Sequence, residues 1–209
     1  MIGVSSIGRT TDFESVCWWF EPITPSQLLE YIVSVRILDN AFTPEEISAI
    51  HQECLTIPCK WGAVKSPEWQ FWNGFVYTNF FEDKVDDIDK YPVIQKAWKT
   101  IQQASGITDN EYKFASIYIN CQSIGNESPI HHDGSDLTVL YYTNPNWKID
   151  WDGGTTFYNN EKDDYIGSVA YRAGRFLTYD KTIPHKPQAI SIHAKDIRVV
   201  LVFRLNRIK

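Results

Sequence analysis

In the first half of the chain, apolar positions recur at helical spacing. Thr43-Pro44-Glu45-Glu46 sets a side-chain cap, a proline at the first helical position and two acids at the positive end of a dipole, ahead of ISAIHQECL. That order predicts a helix over about 44–55. Val93, Ile94, Ala97, Trp98 and Ile101 recur three and four residues apart, which predicts a second helix over about 91–104. Both read as core-packing helices. Beyond Asn110 the pattern changes to short runs of β-formers between turn residues. Strands are expected near 114–122, 136–143, 154–158, 167–171, 174–179 and 197–206, with Asp152-Gly153-Gly154 and Ala173-Gly174 as turns. This spacing suits about eight short strands in two packed sheets, a jelly roll. The fold class expected is α+β, mainly β, with the N-terminal helices packed on one outer face.

Composition supports that picture. A chain of 209 residues with 43% hydrophobic content is long enough for one substantial core. We therefore expect one domain over 1–209: a helical and substrate-entrance region to about 110, then a β core over about 111–207. An aromatic share of 14% suits strands and concave sites better than a helical bundle. The net charge of −6 offers no global attraction to phosphate backbones or anionic lipid. Cys17, Cys54, Cys59 and Cys121 form no C-x-x-C pair and are too sparse for a disulfide scaffold. With neither a long apolar run nor a signal-like start in MIGVSSIGRTTDFES, a soluble cytoplasmic protein with reduced thiols is expected.

The candidate chemistry lies in the β-rich half. In PIHHDGSD, His131 and Asp133 are one residue apart, so on an extended strand both project to the same face. His132 then faces away. With a third ligand from His185 in TIPHKPQ, two imidazoles and a carboxylate can hold Fe(II) on one side and leave the opposite side open for a bidentate co-substrate and O2. Arg198 opens the last apolar run, and its planar cation can take the distal carboxylate of a dicarboxylic acid. Each piece alone also has a bland reading: surface histidines for His131 and His185, an Asx turn for Asp133. Tyr118, Asn120 and Gln122 alternate along SIYINCQS and share one strand face. Co-substrate contact and plain packing are both open to each of them.

The segments HHDG, WDGGTTFYN, IPHKPQ and IRVVLVFR resemble the iron and 2-oxoglutarate dioxygenases, especially their prolyl-hydroxylase-like branch. The resemblance covers residues 111–207 and is most specific in LTVLYYTNPNWKIDWDGGTTFY, while VRILDNAFTPEEISAIHQECL resembles the opening strand and helix of that branch. It implies a double-stranded β-helix. It also implies Fe(II) on His131, Asp133 and His185, with the far carboxylate of 2-oxoglutarate on Arg198, helped by Tyr142. Tyr141 should point the other way and serve packing. The implied reaction consumes 2-oxoglutarate and O2, releases succinate and CO2, and hydroxylates a C–H bond of a peptidyl, most simply prolyl, substrate.

The chain departs from the family pattern in the longer loop ISIHAKD before Arg198, which makes Lys195 a competing carboxylate ligand. His51 and His193 have no partner pattern and read as ordinary surface or helix residues. The aromatic stretch Trp69 to Tyr77 can either wall a substrate entrance or pack helices on the sheet. Two other functions stay open. Arg198 to Arg204 also resembles the two-arginine closing strand of nucleic-acid demethylases, so the target could be a nucleobase or small metabolite, although the acidic balance disfavours nucleic acid. The third reading is a non-enzymatic jelly-roll binding module in which the histidines are incidental.

Overall fold

The computed structural model describes residues 35–61, 72–78, 85–86, 88–126 and 128–209. Helix α1 (Pro44–Leu55) starts where its cap predicts. Thr43 Oγ1 accepts from the Glu46 amide at 3.2 Å, and the Glu46 carboxylate accepts from the Thr43 amide at 3.1 Å, a reciprocal box. Helix α2 (Pro92–Ser105) has no side-chain cap of its own at Tyr91. Glu53 of α1 caps it instead, accepting from the Val93 and Ile94 amides at 3.2 and 2.6 Å. Gly106, at φ 78°, ends α2 in the left-handed conformation that favours glycine. The helix buries Ile94, Ala97, Trp98 and Ile101, the stripe its period predicts.

The strands are β1 (Val35–Leu38), β2 (Lys60–Trp61), β3 (Trp72–Thr78), β4 (Val85–Asp86), β5 (Tyr112–Gln122), β6 (Leu137–Tyr142), β7 (Thr155–Tyr158), β8 (Tyr165–Val169), β9 (Phe176–Asp180), β10 (His185–Pro187) and β11 (Arg198–Arg207). An eight-stranded sheet runs β1-β9-β6-β11-β5-β3-β2, with β4 paired to β3, and a three-stranded sheet runs β10-β7-β8. Every pairing is antiparallel. The jelly roll is therefore lopsided rather than two comparable sheets. The reason lies in the first half, which the sequence led us to read as mainly helical. It lends β1, β2, β3 and β4 to the large sheet.

Strand periodicity divides two cores. Outward-facing Ile117, Ile119, Val139, Tyr141, Phe176, Val199, Leu201 and Phe203 pack with Ile50, Ile94, Trp98 and Ile101 of the helices. Inward-facing Leu140, Tyr142, Leu177, Tyr179, Val200 and Val202 pack with Phe157, Val169 and Ile183 from the small-sheet side. Neighbours Tyr141 and Tyr142 thus serve opposite cores, as a two-residue period requires. Strand β3 splits its aromatics by a different device, a register shift between Phe75 and Tyr77 that breaks the two-residue period: Phe75 meets Tyr118 at 5.7 Å, while Tyr77 meets Phe114 at 6.0 Å in the helix-side core. Trp69 to Phe71 lie outside the described residues, as does Cys17. Cys54 is buried, Cys59 and Cys121 are half-buried, and all three are free. Among the described residues no helix is long and apolar enough to cross a membrane.

The Gly-Gly turn is required by sterics. Asp152 and Gly153 take φ values of 53° and 76°, and a Cβ on Gly154 would overlap the Val169 carbonyl oxygen. This close approach seats β7 between β8 and β10, and β10 carries His185.

Candidate metal and co-substrate site

The backbones of His131 and His185 form an antiparallel bridge, with His131 N–H donating to His185 O at 3.0 Å and His185 N–H to His131 O at 2.9 Å. This bridge brings residues distant in sequence to one point, with imidazole centroids 4.5 Å apart. One ligand atom from each of His131, Asp133 and His185 lies within 4.8 Å of the others. His185 Nε2 is 3.6 Å from Asp133 Oδ2. His132 is exposed.

Both imidazoles are oriented by the same local device. Nδ1 of His131 lies 2.9 Å from Pro129 O, and Nδ1 of His185 lies 3.0 Å from Ile183 O, in each case a carbonyl two residues upstream. A carbonyl only accepts, so Nδ1 carries the proton and Nε2 is the electron-pair donor of each ring. Burial, reinforced by His185, pushes the His131 pKa down to about 4, so near neutral pH protons do not compete for that lone pair. Burial opposes ionisation of Asp133, but His185, Arg204, His131 and the Thr138 hydroxyl together hold its carboxyl below the ordinary value. Thr138 Oγ1 donates to Asp133 Oδ2 at 2.5 Å, and Arg204 Nε lies 3.8 Å from Oδ1. Two imidazoles and one carboxylate on one side of a cavity fit a divalent first-row ion that keeps open positions, the donor set of non-haem Fe(II) sites.

The cavity continues away from the triad between apolar walls of Leu140, Val200 and Val202 and a polar row of Tyr118, Asn120 and Gln122. At its far end Arg198 is 2% exposed. Its Nε donates to Gly153 O, and Nη1 donates to Gln122 Oε1 at 2.6 Å. The rings of Tyr142 and Tyr171 lie 5.8 and 5.7 Å from the guanidinium carbon. Burial draws the Arg198 pKa down, yet guanidinium stays protonated at any ordinary pH. Among the described residues no carboxylate lies within ion-pair distance of it. A buried cation without a counter-charge is costly, so the cavity is built to receive an anion.

Tyr142 reaches the cavity indirectly. Its hydroxyl is 2.8 Å from Thr155 Oγ1 and 3.3 Å from Val169 O, and it is Thr155 that lines the wall. Lys195 is exposed in the loop before β11, and His193 is exposed beside it. His51, read as an ordinary surface or helix residue, is a helix residue and a buried one. It is 6% exposed on α1, with Nδ1 3.0 Å from Thr143 Oγ1.

No family model matches the chain, and neither does any curated protein. Solved structures do match along most of its length. A prolyl hydroxylase of Trichoplax adhaerens, in complex with a hypoxia inducible factor oxygen degradation domain peptide fragment, superposes with a TM-score of 0.63 at 15% identity, covering 86% of each chain. A 2OG-Fe(II) oxygenase family oxidoreductase of Burkholderia pseudomallei gives 0.64 at 14% identity, over 87% of this chain and 88% of that one. The chain has the fold of the 2-oxoglutarate and Fe(II) oxygenases. HygX of Streptomyces hygroscopicus, solved with nickel and 2-oxoglutarate bound, shares it with a TM-score of 0.58 at 11% identity, over 88% and 87% of the two chains.

On this double-stranded β-helix the structure adds site residues that the sequence reading missed. Tyr179 places its hydroxyl 3.1 Å from His185 Nε2, and Thr138 binds Asp133. The two stand directly opposite on β9 and β6. Pro187, Ser128 and Thr155 complete the wall. Inward parity on strands already expected near 136–143 and 174–179 could have nominated Thr138 and Tyr179.

Proposed function

We propose that the protein is an Fe(II)- and 2-oxoglutarate-dependent oxygenase that hydroxylates a C–H bond. One observation carries this reading. A single cavity holds the His131, Asp133, His185 cluster and a buried Arg198 that has no acidic partner among the described residues. His131 and His185 would offer Nε2 and Asp133 a carboxylate oxygen to the metal. Arg198, with two N–H groups already tied to Gly153 and Gln122, would turn its other donors to the distal carboxylate of 2-oxoglutarate. When bound, the iron and the keto acid supply O2 activation coupled to release of succinate and CO2. The protein orients both ends of the co-substrate, and Leu140, Val200 and Val202 keep water from its middle.

For the primary substrate we propose a peptide, most simply a prolyl peptide. The resemblance of LTVLYYTNPNWKIDWDGGTTFY to the prolyl-hydroxylase branch supports this, as does the fold shared with the peptide-bound Trichoplax enzyme. Net charge of −6 weighs against nucleic acid. Incubation with Fe(II), 2-oxoglutarate and a peptide pool should yield succinate together with peptides heavier by one oxygen. Oxygen added to nucleosides instead would overturn the substrate, and no succinate with any pool would overturn the reaction.

A further inference from the structure

The strand that carries Arg198 loses its neighbour just where the arginine sits. Strand β6 pairs with β11 as far as Tyr142 opposite Val200, after which Pro145 has no N–H with which to extend the ladder. Arg198 is left paired on one side only, to Gln122 of β5. A set of buried side chains takes over the missing side. Asn144, 1% exposed, accepts from Val199 N–H at 2.8 Å and donates to Ile197 O at 2.9 Å. One carboxamide thereby holds the backbone immediately before and immediately after Arg198. Its Nδ2 also reaches Asp196 Oδ2 at 3.2 Å.

Tyr171, 2% exposed, locks that carboxamide. Its hydroxyl accepts from the Asn144 amide at 2.9 Å and lies 2.6 Å from Asn144 Oδ1 and 2.7 Å from Val199 O, donating to one of them at a time. The Thr143 hydroxyl donates to the same Val199 oxygen at 3.0 Å, and the Thr143 amide adds a weaker bond at 3.3 Å. Several donors thus converge on the carbonyl next to a buried cation that has no acidic partner among the described residues, more than sheet pairing alone supplies. None of Thr143, Asn144 and Tyr171 lines the cavity.

We propose that Asn144 and Tyr171 are positioning residues that hold Arg198 at the depth where it reads the distal carboxylate of a five-carbon keto diacid. This rests on the oxygenase reading above. A fixed guanidinium measures the length of its ligand, whereas a loose one does not. The side chains would therefore set affinity and chain-length selectivity for the co-substrate without touching it.

The test is calorimetric binding to Ni(II)-loaded full-length protein, using 2-oxoglutarate, its one-carbon-longer homologue 2-oxoadipate, and pyruvate, which lacks the distal carboxylate. Tyr171→Phe keeps the ring and removes only the hydroxyl. It should raise the Kd of 2-oxoglutarate about five- to tenfold, the scale of one misplaced hydrogen bond, and narrow the preference over 2-oxoadipate. Pyruvate binding should not change. Asn144→Ala should act in the same direction and more strongly. Equal weakening of pyruvate and 2-oxoglutarate would mean a merely structural role and overturn the proposal, as would a wild-type Kd in Tyr171→Phe. If the wild-type protein binds Ni(II) but no 2-oxoglutarate, the oxygenase reading fails and this inference with it. Wild-type binding with an unaffected variant sinks the inference alone.

Discussion

Replacing Arg198 by Met separates what the arginine does for stability from what it does for binding. In the folded chain the guanidinium is 2% exposed and holds Gly153 O and Gln122 Oε1. Each charge-assisted bond contributes about 1.5–3 kcal/mol, while the effective desolvation penalty of a buried ion is several kcal/mol. The two nearly cancel, so Arg198→Met should unfold within a few degrees of wild type, methionine filling the aliphatic part of the space. Binding is a different matter. Truncating one partner of a buried charge pair costs about 2–5 kcal/mol, which raises the Kd of 2-oxoglutarate by roughly 30- to 4,000-fold. At a ligand concentration of about 100 Kd, wild-type protein loaded with Ni(II) should gain about 2.7 kcal/mol. That corresponds to a Tm rise of roughly 5–11 °C for a chain of this size. The variant should show at most about a third of that rise, and almost none at the upper end of the range, while keeping its affinity for Ni(II). Differential scanning fluorimetry with and without 2-oxoglutarate reads both quantities. A variant that keeps the ligand-induced rise would refute the assignment of the carboxylate to Arg198. Lys195→Ala, on the exposed loop, should keep the full rise.

Other expectations follow from the same geometry. Thr138→Val removes the hydroxyl that donates to Asp133 and should weaken Ni(II) binding about 10- to 100-fold by titration, the usual cost of losing a ligand's hydrogen-bond partner. Gly154→Ala sets a methyl against the Val169 carbonyl oxygen and should lower stability by about 1–3 kcal/mol in urea unfolding. Burial holds the His51 imidazole below its ordinary 6.5, with Asp196 partly opposing. As pH falls through 6.5 the unfolded chain takes up that proton first, so metal-free protein loses stability on acidification and is unaffected by this group above it. His51→Gln should make the urea midpoint fall less than in wild type between about pH 7.5 and about pH 5.5.

The helices were legible because their signals are local. Thr43 and Glu46 cap one, and a three-and-four spacing from Val93 to Ile101 marks the other. His131 and Asp133 were legible for a related reason, since strand parity alone sends both to one side and His132 to the other. Parity also separated Tyr141 from Tyr142. It gives direction but not depth, and the Tyr142 hydroxyl is taken by Thr155 and Val169, contacts set by how two sheets pack. Strand β3 escaped notice because Asn73 and Gly74 interrupt its aromatic run, and its pairing with β5 joins segments far apart in sequence. Asn144 was hidden similarly, and parity points Tyr179 inward without saying what it meets. What they hold, His185 in one case and the backbone around Arg198 in the other, depends on cross-strand register and on where a ladder stops.

The most direct measurement is an anaerobic titration of the metal-free protein with Fe(II) and 2-oxoglutarate, followed in the visible range. A charge-transfer band should grow to saturation at one equivalent of each, vanish in His185→Ala, and in Arg198→Met require far more 2-oxoglutarate. A well-folded wild-type protein that gives no band would contradict the account and leave a jelly-roll binding module in its place.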